Sequence, residues 1–106
     1  MDKLEKLFDK QYKLQKKLNY SLNNKNARVI MILAAIDELT EALREIPWKP
    51  WKKHQKFNSK KFQEEIIDLW HFVINLSIAG NMNAEDVYNK FIYKNNINKK
   101  RIKNNY

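Results

Sequence analysis

Five carboxylates in this chain have types and spacings that could do chemistry. Glu38, Glu41 and Glu45 lie at i, i+3 and i+7, within about 60° of one another on a helix of 3.6 residues per turn. Glu65 and Asp68 form a second i, i+3 pair one turn inside an apolar run. Buried carboxylates are costly and persist only when paired, protonated or bound to a cation. With 21 Lys and Arg in the chain, salt bridges are the plain explanation for either pair alone. Two such pairs on consecutive long helices differ, because antiparallel packing can bring four oxygen donors together. An all-oxygen set suits hard cations, Mg²⁺ first and Mn²⁺ next. Mg²⁺ keeps some of its waters and usually also binds substrate phosphates, so the cluster implies a phosphate-bearing ligand.

Four helices must position these groups. Leu4, Leu7, Phe8, Leu14, Leu18 and Leu22 recur at three- and four-residue steps, so residues 2 to about 23 read as an amphipathic helix. Asn26 is the expected N-cap of a second helix, and Pro47 stops that helix near Glu45. Residues 46–58 hold both prolines and two of the three tryptophans, and read as an ordered loop. Ser59 is the expected cap of a third helix ending at Gly80, the single glycine, where a left-handed residue is expected. The interior of that helix, from Ile66 to Ala79, is apolar on nearly every side, which marks a helix packed all round. A four-helix monomer this small cannot surround it, so a homodimer is expected. Asn83 and Asp86 have capping-box spacing and open a fourth helix running to about Arg101, with a frayed end beyond.

Several further residues could touch a ligand. Lys94, Asn98 and Arg101 sit at i, i+4 and i+7, either as one binding face or as a basic tail. Gln15 and Asn19 interrupt the first leucine stripe one turn apart, and an amide can pair with the polar edge of a nucleobase or simply be solvated. Trp48 and Trp51 could stack on a base or anchor their loop, and Lys49, Lys52, Lys53 and Lys56 could screen phosphates or face solvent. Glu45 and Glu64 are alternates to the main acids. His71, one turn after Asp68, reads as a hydrogen-bonded core histidine rather than a ligand.

The stretches around these residues resemble a known family. Glu38-x-x-Glu41 followed by Glu65-x-x-Asp68 looks like the paired signature of the all-α, MazG-like nucleoside triphosphate pyrophosphohydrolases. The Trp and Lys loop, Glu65-Ile-Ile-Asp68-Leu-Trp-His71-Phe and Lys94-Asn95-x-x-Asn98-x-x-Arg101 look more specifically like the dimeric dUTPases and related short phage enzymes. The resemblance spans roughly residues 11 to 106. It implies a four-helix bundle over a single domain, 1–106, completed by homodimerisation. It also implies that Glu38, Glu41, Glu65 and Asp68 hold Mg²⁺, or Mn²⁺ as a substitute, and that metals polarise phosphoryl oxygens and activate water. Glu41, with Glu38 beside it, is the candidate to orient or deprotonate that water. Lys94 and Arg101 would bind phosphates, Asn98 the sugar or base, and Gln15 and Asn19 the uracil. The implied reaction converts dUTP to dUMP and pyrophosphate. Where the dimeric dUTPases commonly continue Arg-Gln-x-x-Gly-Tyr, this chain has Arg101-Ile102-Lys103-Asn104-Asn105-Tyr106. It also lacks the insertions of longer members. Both departures bear on base choice, and a purine dNTP is the alternative substrate.

Composition narrows the remaining classes. The 106 residues include 29 Leu, Ile, Val and Phe, above the roughly 20% below which charged chains stay unfolded. One Gly and two Pro argue against a turn-rich β fold, and no apolar run approaches the roughly 18 residues of a membrane span. The absence of cysteine excludes disulfides and thiolate metal sites. The Lys-rich start carries no secretory pattern, so a cytoplasmic location is expected, the host's if the gene is a phage's. The net charge of +9 concentrates polyanions nearby. It also motivates a rival, a basic helical nucleic-acid-binding protein, which gives no reason for acids inside an apolar helix. A regulator on the same scaffold with dead chemistry is a third reading, disfavoured by intact acids.

Overall fold

In the computed structural model, which describes residues 1–104, the chain is all-α and forms four helices. They are α1 (Lys3–Lys17), α2 (Lys25–Arg44), α3 (Ser59–Ala79) and α4 (Ala84–Lys103). Asn105 and Tyr106, and with them the end of the expected frayed tail, lie outside the described residues.

Each helix begins on a side-chain cap, which supplies an acceptor to an otherwise orphaned backbone N–H. Asp2 accepts from Glu5, Asn24 from Ala27, Asn58 from Lys61 and Asn83 from Asp86. Asn24 and Asn58 replace the expected Asn26 and Ser59 as caps, and the Asn83–Asp86 capping box forms as expected. α1 ends at Lys17 rather than near residue 23. Asn19 turns left-handed (φ 54°), and its N–H and that of Tyr20 donate to Lys16 and Gln15 carbonyls, which is a Schellman closure. α3 ends the same way, with the N–H groups of Asn81 and Met82 donating to Ile78 and Ser77. The left-handed residue there is Asn81 (φ 64°), not Gly80, whose φ is −87°. Asparagine tolerates this region better than other side chains, so the glycine is not needed for it.

α2 and α3 form the centre. Glu45 with Asn58, Met31 with Asn75 and Arg28 with Ala79 are joined by hydrogen bonds. Their numbers rise on one helix as they fall on the other, so the pair is antiparallel. α2 turns Ala27, Met31 and Ala42 inward, and small side chains there let the helices approach. One core cluster joins Leu22, Ala27, Met31 and Ala79, with Phe72 and Leu76 packed against it. A second joins Phe8 of α1, Ile74 of α3 and Ala84 of α4. α1 packs on α3 and on α4.

One chain does not cover α3 all round, as expected for a monomer this small: Ile67, Trp70 and Val73 are exposed. On α2, Val29, Ile32, Leu33, Ile36 and Leu39 are exposed too. The radius of gyration is 17.1 Å, against about 13 Å for a compact chain of this length. No helix among the described residues is long and apolar enough to cross a membrane.

Candidate metal centre

Antiparallel packing of α2 on α3 places the two acidic pairs at one level. Carboxylate oxygens of Glu38, Glu65 and Asp68 lie within 4.8 Å of one another. Glu38 and Glu65 are partly buried and Asp68 is exposed, so the cluster opens to solvent on one side. Glu38 Oε2 and Glu65 Oε2 are themselves buried and have no hydrogen-bond partner. No Lys, Arg or His lies within ion-pairing distance of the three among the described residues. Salt bridging therefore does not account for them.

The electrostatic consequence falls on Glu38. Burial first, then the charges of Glu41, Asp68 and Glu65 and hydrogen bonding with Glu65, push its carboxyl from 4.5 up to about 7. Glu41 is raised as well, chiefly through hydrogen bonding with Glu65, with desolvation and the charges of Glu65 and Asp37 adding. Positive charge brought in from outside the protein would offset this repulsion and lower the cluster's affinity for protons. Three hard oxygen donors, two of them orphaned, fit a divalent cation. Glu41 stands beside the cluster rather than in the converging set. Glu45 is outside it, and Glu64 is exposed.

The remaining candidates scatter. Gln15 is buried and Asn19 exposed, and both line a cavity of about 730 Å³ between the end of α1 and the turn joining α3 to α4. Trp51 is 73% exposed and packs edge-on against Trp48, centroids 5.9 Å apart. Lys94 and Asn98 are exposed on the outer half of α4, and no ion pair joins Lys94 to the carboxylates. Arg101 is exposed and has interactions of its own. His71 is hydrogen-bonded as expected but exposed rather than in the core: its Nδ1 lies 3.0 Å from the Ile67 carbonyl, which ties it to the surface of its own helix.

Two buried amides escaped the sequence reading. Gln11 packs beside Gln15, 3.5 Å from Nε2 to Oε1. Asn75 is 2% exposed, its Nδ2 donates to Met31 Sδ at 3.5 Å, and its Oδ1 has no partner. Nothing in the sequence marked either amide, because the burial of each depends on how the helices cross.

A dUTPase family profile matches residues 3–84. This covers more than half of the chain and includes both acidic pairs. The chain belongs to the dUTPase family. With its four helices, this dUTPase-family chain shares the MazG-like all-α character. It is 28% identical over 89 residues to a dCTP pyrophosphatase of Enterobacteria phage T4, covering 71% of this chain and 52% of the relative. It is 38% identical over 60 residues to a dCTP pyrophosphatase of Enterobacteria phage LZ5, covering 45% and 35%. A DNA replication protein of phage T4 is 27% identical over 78 residues, covering 60% and 20%. The chain thus spans about half the length of the first of these curated relatives and less of the others. No solved structure matches it.

Proposed function

We propose that this dUTPase-family chain is a Mg²⁺-dependent deoxynucleoside triphosphate pyrophosphohydrolase that converts dUTP to dUMP and pyrophosphate. The convergence of Glu38, Glu65 and Asp68 within 4.8 Å, without a cation from the protein, carries the reading. These three residues would hold the metal, with Mn²⁺ as a substitute. A divalent cation bound there supplies charge neutralisation at the phosphoryl oxygens and makes a nearby water more acidic. Glu41 then takes the proton of the attacking water. Its proton affinity is raised, chiefly by Glu65 and by desolvation, the direction a general base needs, and Glu38 stands one turn away. Water adds to phosphorus, the bond linking the α- and β-phosphates breaks, and pyrophosphate departs.

Gln15 and Asn19 are assigned the base by their shared cavity and by the resemblance. Lys94, Asn98 and Arg101 are assigned the phosphates and sugar by the resemblance alone. Trp51 is left out of this assignment, since its contact with Trp48 places it on the loop following α2 rather than in that cavity. The exposed apolar residues of α2 and α3 support a homodimer, and the working place is the cytoplasm, the host's for a phage gene.

A second substrate has its own support: two relatives are named dCTP pyrophosphatase, which favours dCTP over a purine dNTP as the alternative. Incubation with each dNTP, with Mg²⁺ and with EDTA, and measurement of pyrophosphate tests both. Metal-dependent release fastest with dUTP is expected. Fastest release with dCTP moves the base assignment, and no release from any dNTP overturns the enzyme.

A further inference from the structure

We propose that the loop following α2 builds a binding site for single-stranded nucleic acid, on the face of α2 turned away from the carboxylates. The loop closes a cavity of about 450 Å³ in which Arg44, Lys49, Lys52, His54 and Lys56 surround Trp48. The contribution from α2 is Thr40, Leu43 and Arg44. At 100° per residue this face is centred about 140° round the helix from Glu38, Glu41 and Glu45. These cations therefore do not serve the acidic cluster of their own chain. No carboxylate lines the cavity, and none of its Lys or Arg side chains forms an ion pair among the described residues.

The site is built rather than left to chance. The Gln55 side chain holds the loop from within, donating to the Lys49 and Lys52 carbonyls and accepting from the Lys49 N–H. The Asn58 N–H donates to Glu45 and ties the loop's two ends together. His54 is held at φ 62°, a strained conformation for a side chain of its size, which persists only where the surroundings impose it. The result is a fixed set of cations beside an aromatic pair. Lys49 Nζ lies 5.6 Å from the Trp48 ring, and Trp48 meets Trp51 edge-on.

That combination has a chemical reading. Aromatic rings accept any base by stacking, and flanking cations track the backbone of a single strand. A free nucleoside monophosphate offers one phosphate position to cations spread over the sequence from 44 to 56. A strand offers several. The inference stands apart from the hydrolase reading, because none of its residues belongs to the carboxylate cluster.

Fluorescence anisotropy of labelled dT12 with the full chain, in EDTA, tests it. Binding at 50 mM KCl is expected, weakening roughly 20-fold at 200 mM if three phosphates are engaged. Replacing Lys49, Lys52 and Lys56 together with Gln should lower affinity at least tenfold and flatten the salt dependence. Trp48→Leu should weaken binding while keeping the salt slope, a separation that general charge attraction does not produce. The Glu65→Gln, Asp68→Asn double variant, which tests the hydrolase, should bind as tightly as the parent. Absence of binding at 50 mM KCl, equal binding by the triple lysine variant, or displacement by dTMP at equal nucleotide concentration would overturn the proposal.

Discussion

Glu38 on α2 and Glu65 on α3 face each other across the antiparallel pair, and each buries an Oε2 that no donor reaches. A fold that needed only stability would not keep this arrangement, since two like charges with orphaned oxygens oppose packing. Removing one of them should therefore separate stability from activity. Glu65→Gln is expected to lower kcat/KM with Mg²⁺ by about 100-fold, roughly 2.7 kcal/mol of transition-state stabilisation, and to raise the melting temperature in EDTA. Steady-state kinetics and thermal melts on one preparation check both signs. A variant that loses stability in EDTA while keeping its rate would mean that Glu65 is structural.

The same cluster makes metal-free stability depend on pH in an unusual direction. Glu38 is raised from 4.5 to about 7 in the folded chain, first by burial and then by its acidic neighbours. Between those values the folded state binds more protons than the unfolded state, so stability must fall as pH rises. The stabilising proton is fully present below about 4.5 and lost through about 7. Melts in EDTA from pH 5 to 8 should show this decline, and Glu38→Gln should flatten it. Millimolar Mg²⁺ should restore stability at pH 8, by about 2.7 kcal/mol at a hundredfold excess over Kd, and do little at pH 5, where protons compete. A melting temperature that climbs steadily with pH in EDTA would contradict the burial of Glu38.

Asn75 offers an independent check on the core. Its side chain is 2% exposed, its amide reaches only Met31 Sδ, and Oδ1 is orphaned. Replacing a buried unsatisfied amide with an apolar side chain of the same branched shape removes a desolvation cost. Asn75→Leu is expected to stabilise the chain by about 1 kcal/mol, or roughly 4–8 °C in melting temperature for a domain of this size. Differential scanning calorimetry reads it directly. A lower melting temperature would mean that Oδ1 has a partner in solution, such as a buried water.

The features legible in the sequence were those set by local geometry. Carboxylates at i, i+3 on two successive helices meet once the helices run antiparallel, and the Asn83–Asp86 box is a contact across three residues. The misplacements came from close competitors. Asn23, Asn24 and Asn26 all offer capping amides, and Asn24 caps because its Oδ1 reaches the Ala27 N–H at 2.8 Å. Gly80 drew the left-handed assignment as the single glycine, yet Asn81 takes it, as Asn19 does at the end of α1. Gln11 and Asn75 were illegible for a different reason. Their burial depends on which helix crosses which, and an amide at a helical position carries no mark of what will cover it.

The crossing pattern leaves one more question that a single substitution answers. Val29, Ile32, Ile36 and Leu39 step along α2 by three, four and three residues, the spacing of a seam that meets another helix, and Ile36 and Leu39 are 53% and 52% exposed. α3 adds Ile67 and Trp70, each 55% exposed, on a chain already more extended than its length requires. Water is an unfavourable neighbour for such a stripe, and a second copy presents the same apolar face by symmetry. Light scattering on the parent protein is expected to give twice 12.9 kDa. Ile36→Glu adds a charge to an already solvated position of the monomer but buries that charge in the pair. It should halve the mass and leave the helical circular dichroism intact. A parent that scatters as a monomer at micromolar concentration would remove the second copy from this account.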